Sequence, residues 1–484
     1  MTITVEVDFC KKEMQTFDEV VSSVYDIALE FGRQLVVRIL EKRDRELMET
    51  RDTRRYRSKG KQQTSIKTRL GVIEFQRQVY VDNTITEGIH CVHLLDEDLG
   101  IEKIGLISKD LCLSAAEAVC ESTYRAAAAA VTESTGTPIS AQGVWNIVQK
   151  LGQERQEQIE RHGKLARQHK GVGCVGSKIL YEENDGIWLK LQGKDRKENG
   201  PSKEMKVGIA YDGATWEKGA NGRIRRTLDN KVAHASFEAA KDFRSSKEGI
   251  IANFYDVDQI ELRVINGDGA NWIQKKSGVD CISVLDRFHR NKKITECVKD
   301  REFAKTIQEL LFAGRVDDVL TCIAAQIDSI EDKAEQDGLK ELLRYYTENK
   351  DSLLGYYDRG VKIPETRDPG TIHHARLGSM ESNIFTLIGN RMKDRRCCWS
   401  IRGANNLGSL LCLKHTTGFS HLFSDPEVLP AEPSEPVISE NTISASKIPQ
   451  IVGKGHECYC RASLPNLPWL KNITAYLPLS ALKL

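Results

Sequence analysis

Three acidic residues stand where a divalent metal ion could be held. Asp268 ends the apolar run Leu262–Asp268, so a rigid buried strand would present its carboxylate. Asp185 lies in the middle of a second strand-like run, Ile179–Leu191, and Glu381 lies on a predicted helix far downstream. Two strand-borne aspartates and a helix-borne glutamate suggest a site for hard cations and phosphodiester chemistry. The alternatives are a hairpin turn at Asn-Asp-Gly around Asp185 and a plain loop at Gly-Asp-Gly around Asp268.

An Asp-x-x-His step follows the predicted strand Cys281–Leu285. Asp286 could orient His289, and the imidazole could then donate a hydrogen bond to a phosphate. A hydrogen bond that ends the strand would explain the pair equally well. Glu381 falls in the first turn of its helix, where the positive end of the helix dipole would also stabilise it without a catalytic role. We include Asp286 and His289 among the candidate catalytic residues.

Basic residues are concentrated in two places, although the formal net charge of the chain is only +1. Local density of this kind, rather than a global excess, is what neutralisation of DNA phosphates needs. One cluster lies between Arg51 and Leu70, where a solvated loop is the alternative. The other follows the Glu381 helix, beside the proposed acidic centre. The residues predicted to contact DNA in these clusters are Arg54, Arg55, Arg57, Lys59, Lys61, Arg391, Lys393, Arg395 and Arg396.

Three helices with short breaks are predicted between Ile107 and His169. Ser108, Ser122 and Ser140 are candidate N-caps, and Gly136-Thr-Pro138 separates the second helix from the third. This is the outline of a helix-turn-helix, in which the first residues of the last helix meet DNA. A helical hairpin without any DNA-binding role has the same spacing. The residues predicted to contact DNA here are Ser140, Gln142, Asn146 and Lys150, with Trp145 facing inward.

From Gly173 onward the pattern changes to short β runs. Three strands, a helix, a strand, a further helix and a last strand are the order expected of a ribonuclease-H-like α/β domain. In that fold Asp185 and Asp268 would be neighbours on adjacent strands. A helical insertion from about Asp300 to Tyr357 would separate the last strand from the Glu381 helix. The predicted elements are strands Lys178–Gln192, Glu204–Tyr211, Lys231–Phe237, Gln259–Asn266 and Cys281–Leu285, with a helix at Glu238–Ile250.

These patterns predict an α/β protein built from successive segments. The first is a helix from about Gln15 to Glu49 whose apolar face, from Phe17 to Phe31, is expected to pack against the rest of the protein. The second is a basic β module bent at Gly71. The predicted segments are the N-terminal helix (1–50), the basic β module (51–100), a helix-turn-helix-like DNA-binding region (101–170), the first part of a ribonuclease-H-like core (171–298), a helical insertion (299–360), the second part of the core with the Glu381 helix (361–424), a linker (425–455) and a C-terminal tail (456–484).

The composition is that of an ordinary soluble globular protein, with 40% hydrophobic and 29% charged residues. No run approaches the roughly 20 apolar residues of a membrane helix, and the residues after Met1 lack a basic-then-apolar secretory signal. We therefore expect a cytoplasmic protein that associates with the nucleoid when it binds DNA. The thirteen cysteines lack the paired spacing of a zinc ribbon and are expected to be reduced thiols.

Several blocks of the sequence resemble the ISLre family of bacterial insertion-sequence transposases. The blocks are Gly71–Phe75, His93–Asp96, Val144–Lys150, Glu183–Gly186, Gly267–Ile273, Leu285–His289, Gly378–Asn383 and Arg391–Ala404. The resemblance spans nearly the whole chain and implies a DDE-type transposase related to the Mutator-like group. It implies that an acidic triad of Asp185, Asp268 and Glu381 holds two Mg²⁺ ions, with Mn²⁺ as a substitute. It also places that group's Cys/Asp-x-x-His signature on Asp286 and His289.

The resemblance implies an enzyme that acts on double-stranded DNA. It would bind the terminal inverted repeats of its element and the target DNA, and catalyse cleavage and strand transfer by in-line displacement. Two DNA ends must be joined, so at least a homodimer on DNA is expected. A non-catalytic DNA-binding regulator or an inactivated remnant is the alternative, and Mg²⁺ dependence distinguishes it. A glycosidase with a carboxylate pair ranks third, because such enzymes need no basic clusters and use more aromatic residues than the 7% here.

Overall fold

The computed structural model of the chain describes residues 16–419, apart from 86–89, 102, 105–106, 219–221, 271, 274–279, 361, 365–376 and 395–396. The chain divides into two units, Met1–Asp425 and Pro426–Leu484, and every described residue belongs to the first. The predicted linker 425–455 and tail 456–484 therefore lie outside the described residues. The described part is a mixed α/β structure that contains two five-stranded sheets.

The N-terminal helix α1 spans Phe17–Thr50, close to its predicted range. Thr16 and Glu19 form a capping box at its start, each side chain accepting a hydrogen bond from the other's backbone amide. The second half of α1 packs on the sheet that follows through Val36, Val37, Leu40 and Leu47. The first half differs from the prediction. Its apolar face does not pack within the described protein, since Phe17 is 79% exposed.

The predicted β module is a five-stranded sheet. Strands β1 (Tyr56–Thr68) and β2 (Gly71–Asp82) form an antiparallel hairpin with a tight turn that ends at Gly71, where φ is +114°. Because β1 begins earlier than the predicted strand, Arg57, Lys59 and Lys61 of the basic cluster lie on a strand and not in a loop. The sheet is completed by β3 (Cys91–Val92), β4 (Lys103–Ile104) and β5 (Ile107–Ser108), in the strand order β3-β2-β1-β5-β4. The short helix α2 (Leu94–Asp98) lies between β3 and β4 in the sequence.

Three helices follow this sheet, as the capping pattern predicts. They are α3 (Lys109–Glu121), α4 (Tyr124–Thr135) and α5 (Ala141–Arg167). Ser108 and Ser140 cap the first and third helices through their hydroxyl groups. The second helix is capped by Thr123 and not by Ser122 as predicted. It ends at Gly136, which adopts the left-handed conformation common after helices.

The central part of the structure is the second five-stranded sheet. Its strand order is β11-β8-β7-β13-β14, in which β7, β13 and β14 are parallel while β8 and β11 run antiparallel. All five predicted strands are present within a few residues of their expected limits. The elements of this part are β6 (Val175–Gly176), β7 (Ile179–Lys190), α6 (Gly193–Asn199), β8 (Ser202–Tyr211), β9 (Gly213–Lys218), β10 (Ile224–Asp229), β11 (Val232–Ser236), α7 (Ala240–Phe254), β12 (Tyr255–Asp256), β13 (Leu262–Gly267) and β14 (Cys281–Leu285).

The segment after β14 is helical, as predicted for residues 299–360. It contains α8 (Arg287–Cys297), α9 (Arg301–Phe312), α10 (Val316–Ser329) and α11 (Lys333–Glu348), which share their own apolar core. The predicted Glu381 helix is present as α12 (Met380–Ile384), a π-helical turn at 385–389 and α13 (Asn390–Met392). A last helix, α14 (Ile401–Lys414), packs beside β11 and α5.

Strand β7 presents alternate side chains to two different cores, as the pleat of a strand requires. Ile179 and Tyr181 belong to a large core that includes residues of α5 and α14, whereas Leu180 belongs to a smaller core with residues of α7. Odd-numbered and even-numbered residues in this stretch of the strand therefore belong to different cores. No helix among the described residues combines the length and the apolarity that a membrane span requires.

Candidate active site

Asp185 and Asp268 lie on neighbouring parallel strands. β13 pairs with β7 so that Gly267 is opposite Asn184. Asp268 directly follows Gly267, and Asp185 directly follows Asn184. β7 continues past Asp185, which excludes the hairpin turn considered at this position. Asp268 follows the last residue of β13, and its carboxylate accepts a hydrogen bond from the Ala270 amide at 2.8 Å. The sheet therefore brings together two aspartates that are far apart in the sequence, as predicted.

The Asp185 carboxylate is mostly buried, and its pKa is raised. Burial, together with the nearby charges of Asp268 and Asp286, raises its pKa to about 6. Burial is the largest contribution. Two contributions oppose it, and each is larger than that of either acid: the Gly186 amide donates to Oδ1 at 2.7 Å, and His289 Nε2 lies 3.9 Å from Oδ2. A carboxylate in this state gains free energy from a cation placed beside it.

Asp286 and His289 form a pair at the start of α8. Asp286 Oδ1 accepts hydrogen bonds from the amides of Phe288 and His289, so the side chain is the N-cap of the helix. The His289 Nδ1 atom lies 3.4 Å from the same carboxylate. The Asp286 carboxylate, with Asp185 on the other side of the ring, raises the pKa of His289. The imidazole therefore lies between the Asp286 and Asp185 carboxylates, and the sequence suggested only the first of these two contacts.

A cavity of about 340 Å³ connects these groups to the helix that carries Glu381. Asp185, Asp286, His289 and Glu381 all line it. Asp268 does not line the cavity, although its negative charge contributes to the raised pKa of Asp185. The cavity is therefore reached by four of the five predicted catalytic residues.

The structure does not assemble the predicted metal-ligand triad. Within the described ranges of the chain, no three histidine, cysteine, aspartate or glutamate side chains are grouped closely enough to hold a metal ion. Asp185 and Asp268 are close, whereas Glu381 is exposed at the first turn of α12. What the structure brings together is the cluster of Asp185, Asp268, Asp286 and His289, with Glu381 on the same cavity.

The predicted DNA-contacting residues of α5 are exposed on one side of the helix. Gln142 donates to Asn146 at 3.0 Å, and Lys150 forms an ion pair with Glu154 at 3.1 Å. Ser140 is used as the N-cap. Trp145 differs from the prediction, because it is 41% exposed and does not face inward. The buried side of α5 is formed instead by Val144, Ile147, Val148 and Leu151.

The basic residues of β1 lie on an exposed part of the hairpin. Arg57, Lys59 and Lys61 are exposed, as is Arg54 just before the strand. Arg55 is engaged within the protein, since its guanidinium contacts the Asp82 carboxylate at 3.0 Å. The hydrogen bond from Arg55 lowers the pKa of Asp82 to about 2. The solvent therefore meets a row of basic side chains, of which Arg55 is paired with a carboxylate of the protein itself.

Arg391 corrects one of the predicted DNA contacts. The structure buries its side chain to 3% exposure, where Nε donates to the Val119 carbonyl at 2.7 Å. The guanidinium lies over the rings of Tyr124 and Trp399. A cation enclosed in this way cannot reach a phosphate, so its role is to join α3, α4 and α13. Lys393 is exposed, and Arg395 and Arg396 lie outside the described residues.

Sequence reasoning missed two polar residues next to the site, Glu183 and Asn266. Both are almost completely buried on neighbouring strands, and they are hydrogen-bonded to each other at 3.0 Å. The available signal was the position of Glu183 within the strand-like run Ile179–Leu191, on the face that also carries Tyr181. A carboxylate at such a position needs several buried donors.

The family of the chain follows from comparison with known proteins. The family described as "Uncharacterised protein family (UPF0236)" matches residues 10–419. The chain belongs to this family. A UPF0236 relative from Streptococcus gallolyticus, described as the "UPF0236 protein in vanSb 3′region", is 22% identical over 425 residues, which cover 85% of this chain and 86% of the relative. The match to UPF0236 includes both sheets and every candidate active-site residue.

Proposed function

We propose that the protein is a DDE-type DNA transposase that acts on the ends of an insertion sequence. The proposal depends chiefly on the pairing of β7 with β13, which sets Asp185 and Asp268 side by side next to a cavity that Glu381 and His289 also reach. The strand order β11-β8-β7-β13-β14 is the order expected of a ribonuclease-H-like core. The helical segment between β14 and α12 has the position of the expected insertion.

Asp185, Asp268 and Glu381 are the residues that would hold two Mg²⁺ ions, for which Mn²⁺ can substitute. Carboxylate oxygens are the preferred ligands of such hard cations. Two features of the site support this assignment: Asp185 and Asp268 follow directly paired residues of neighbouring strands, and Glu381 lines the same cavity as Asp185. When bound, a pair of such ions activates an attacking oxygen and stabilises the leaving 3′ oxygen in an in-line displacement.

His289 is the residue we assign to the phosphate. It lines the cavity, and its raised pKa favours the imidazolium form, which donates from both nitrogens. Its Nδ1 atom lies 3.4 Å from Asp286 Oδ1, and its backbone amide donates to the same oxygen, which caps the start of α8. His289 would therefore donate a hydrogen bond to a non-bridging phosphate oxygen while Asp286 keeps it in position.

The DNA itself would be bound by basic and polar side chains, and those among the described residues are exposed. Such contacts with the backbone position the duplex and make binding dependent on salt. Joining two DNA ends requires at least a dimer of the chain on DNA. The residues assigned to this interface are Arg54, Arg57, Lys59, Lys61, Gln142, Asn146, Lys150 and Lys393, with Arg395 and Arg396.

The test is a cleavage and joining assay on labelled DNA that carries the inverted repeats flanking the coding region. The purified full chain should cut at the repeat ends and join them to a target only when Mg²⁺ or Mn²⁺ is present. Asp185→Asn, Asp268→Asn and Glu381→Gln should each abolish both steps and leave end binding unchanged. Asp258→Asn, an exposed aspartate in the turn before β13, is the matched control and should retain activity.

If one of these three variants joins DNA at a near-normal rate, the substituted residue is not a metal ligand. Loss of end binding together with cleavage would indicate a folding defect, which circular dichroism and the Asp258→Asn control identify. Metal-independent binding without any cleavage by the wild type would refute the enzymatic proposal.

A DNA-binding regulator without catalytic activity is the second candidate. It is favoured by one observation, namely that the described carboxylates do not form a three-ligand metal cluster. Such a protein would use the same basic residues of β1 and α5 but would bind its DNA equally well with Mg²⁺ or with a chelator. The assay above separates the two functions through the metal dependence of cleavage.

A further inference from the structure

We propose that Glu183 and Asn266 form a positioning bridge that fixes the Glu381 helix against the two strands that carry Asp185 and Asp268. The inference rests on the proposed function, because it assigns these residues to the geometry of the same site. Neither of them is expected to bind a metal ion or DNA directly. Their effect would be exerted through Glu381 and His289.

The Glu183 carboxylate is completely buried and accepts hydrogen bonds from four residues. Tyr211 Oη donates to Oε1 at 2.6 Å, and Asn266 Nδ2 donates to Oε2 at 3.0 Å. The backbone amides of Gly378 and Ser379 donate to Oε2 at 2.9 and 3.0 Å. A buried carboxylate costs several kcal/mol unless it is compensated in this way. Removal of its charge therefore affects β7, β8, β13 and the start of α12 together.

Glu183 takes the place of a local N-cap for α12. Ser379 precedes the helix but makes no side-chain capping bond, so the two amides before Met380 depend on a residue of β7. Glu381 is the second residue of this helix. Because the strand that carries Asp185 also holds the start of the Glu381 helix, the separation of the two carboxylates is set through Glu183.

Asn266 extends the bridge to the other side of the cavity. Its Nδ2 group donates to Glu183 Oε2 and to Asp286 Oδ2, both at 3.0 Å. The two acceptors are carboxylates, so the amide must present its NH₂ group and use both of its hydrogens. Asp286 in turn holds His289. A continuous series of hydrogen bonds therefore joins the start of α12 to the backbone amide of His289, whose ring lies beside Asp185.

The neighbouring residue Glu182 provides a matched control. It is also buried on β7, at 2% exposure, but it faces the other side of the sheet. There it pairs with Lys247 at 2.6 Å and with Arg263 at 3.5 Å. Glu182→Gln and Glu183→Gln are therefore the same chemical change at adjacent buried positions, and only the second touches the Glu381 helix.

The experiment compares these two variants with the wild type in three measurements. They are amide hydrogen exchange of residues 379–385 without metal or DNA, the rise in unfolding temperature on addition of Mg²⁺ alone, and the Mg²⁺ concentration at half-maximal end cleavage. For Glu183→Gln we expect selectively faster exchange in this segment and a Mg²⁺ midpoint raised by about tenfold or more, the usual effect of removing a residue that orients metal ligands. Affinity for element-end DNA should be unchanged.

Glu182→Gln should lower the unfolding temperature without moving the Mg²⁺ midpoint or the exchange of residues 379–385. Tyr211→Phe removes a single donor to Glu183 and should shift the same quantities as Glu183→Gln, but less. It serves as the test if Glu183→Gln does not fold. Equal Mg²⁺ midpoints for the Glu182 and Glu183 variants would overturn the bridge.

The bridge and the proposed function can fail separately. If the wild type shows neither Mg²⁺-dependent cleavage nor stabilisation by Mg²⁺, the proposed function fails. Hydrogen exchange then decides the bridge alone, which is overturned if residues 379–385 exchange in Glu183→Gln as in the wild type.

Discussion

Replacement of Asp185 by asparagine should stabilise the metal-free protein, although it should abolish the proposed activity. Burial raises the pKa of Asp185 from its ordinary value of 3.8 to about 6, and its side chain is only 20% exposed. A shift of this size corresponds to about 3 kcal/mol of lost stability when the group is charged. Asparagine has nearly the same shape, carries no charge, and can keep the hydrogen bond from the Gly186 amide.

The sign of the effect depends on pH. Because the pKa of Asp185 is higher in the folded than in the unfolded protein, folding takes up a proton between pH 3.8 and about pH 6. The loss of stability caused by the charged Asp185 carboxylate is therefore absent below this pH window and complete above it. Asp185→Asn should exceed the wild type in stability by about 3 kcal/mol at pH 8 and by almost nothing near pH 3.5.

Urea denaturation with a metal chelator at these two pH values measures the difference. Addition of Mg²⁺ at pH 8 should raise the stability of the wild type and leave Asp185→Asn unchanged, because only the wild type presents the charged ligand. Asp258→Asn, at an exposed position, should show neither effect. If Asp185→Asn is no more stable than the wild type at pH 8, burial does not raise the pKa of Asp185 in the way stated above.

Three further predictions concern other parts of the structure. Burial acts to raise the pKa of Glu238, but hydrogen bonds from a histidine and two serines lower it to about 2. Glu238→Gln should therefore lower the free energy of unfolding by on the order of 3 kcal/mol at pH 7 and by almost nothing at pH 2, as measured by urea titration. A Cβ atom at Gly249 would lie 2.4 Å from the Gly163 amide nitrogen, so Gly249→Ala should force α5 and α7 apart and cost about 1 to 3 kcal/mol, measured by thermal unfolding. Arg391→Ala should lose about 3 kcal/mol with unchanged affinity for DNA, whereas Lys393→Ala should weaken DNA binding in a salt titration and keep its stability.

The strands that carry the site could be predicted because their sequence pattern is local and strong. β7, β8, β11, β13 and β14 each read as an apolar run bounded by polar or turn-forming residues, and all five are present. The ribbon of β9 and β10 was missed, because most of its side chains are exposed and no apolar face marks it. The proximity of Asp185 and Asp268 followed from the parallel pairing of two such strands.

The orientation of single side chains on a helix or strand could not be predicted in the same way. Trp145 and Arg391 have the types expected inside and outside respectively, yet the structure reverses both positions. The surroundings of Arg391 are set by α3 and α4, which are distant from it in sequence. Glu183 was missed for the same reason, since its donors come from residues as far along the chain as Ser379.

The most direct test of the central claim is the location of Mn²⁺ by anomalous diffraction in crystals of the full chain bound to an element end. We expect two anomalous peaks about 3.5 to 4 Å apart, with Asp185 contacting both ions, Asp268 one ion and Glu381 the other. Absence of any peak within coordination distance of Asp185, or ions bound only elsewhere, would contradict the assignment of this cavity as a metal-dependent DNA-cleaving site.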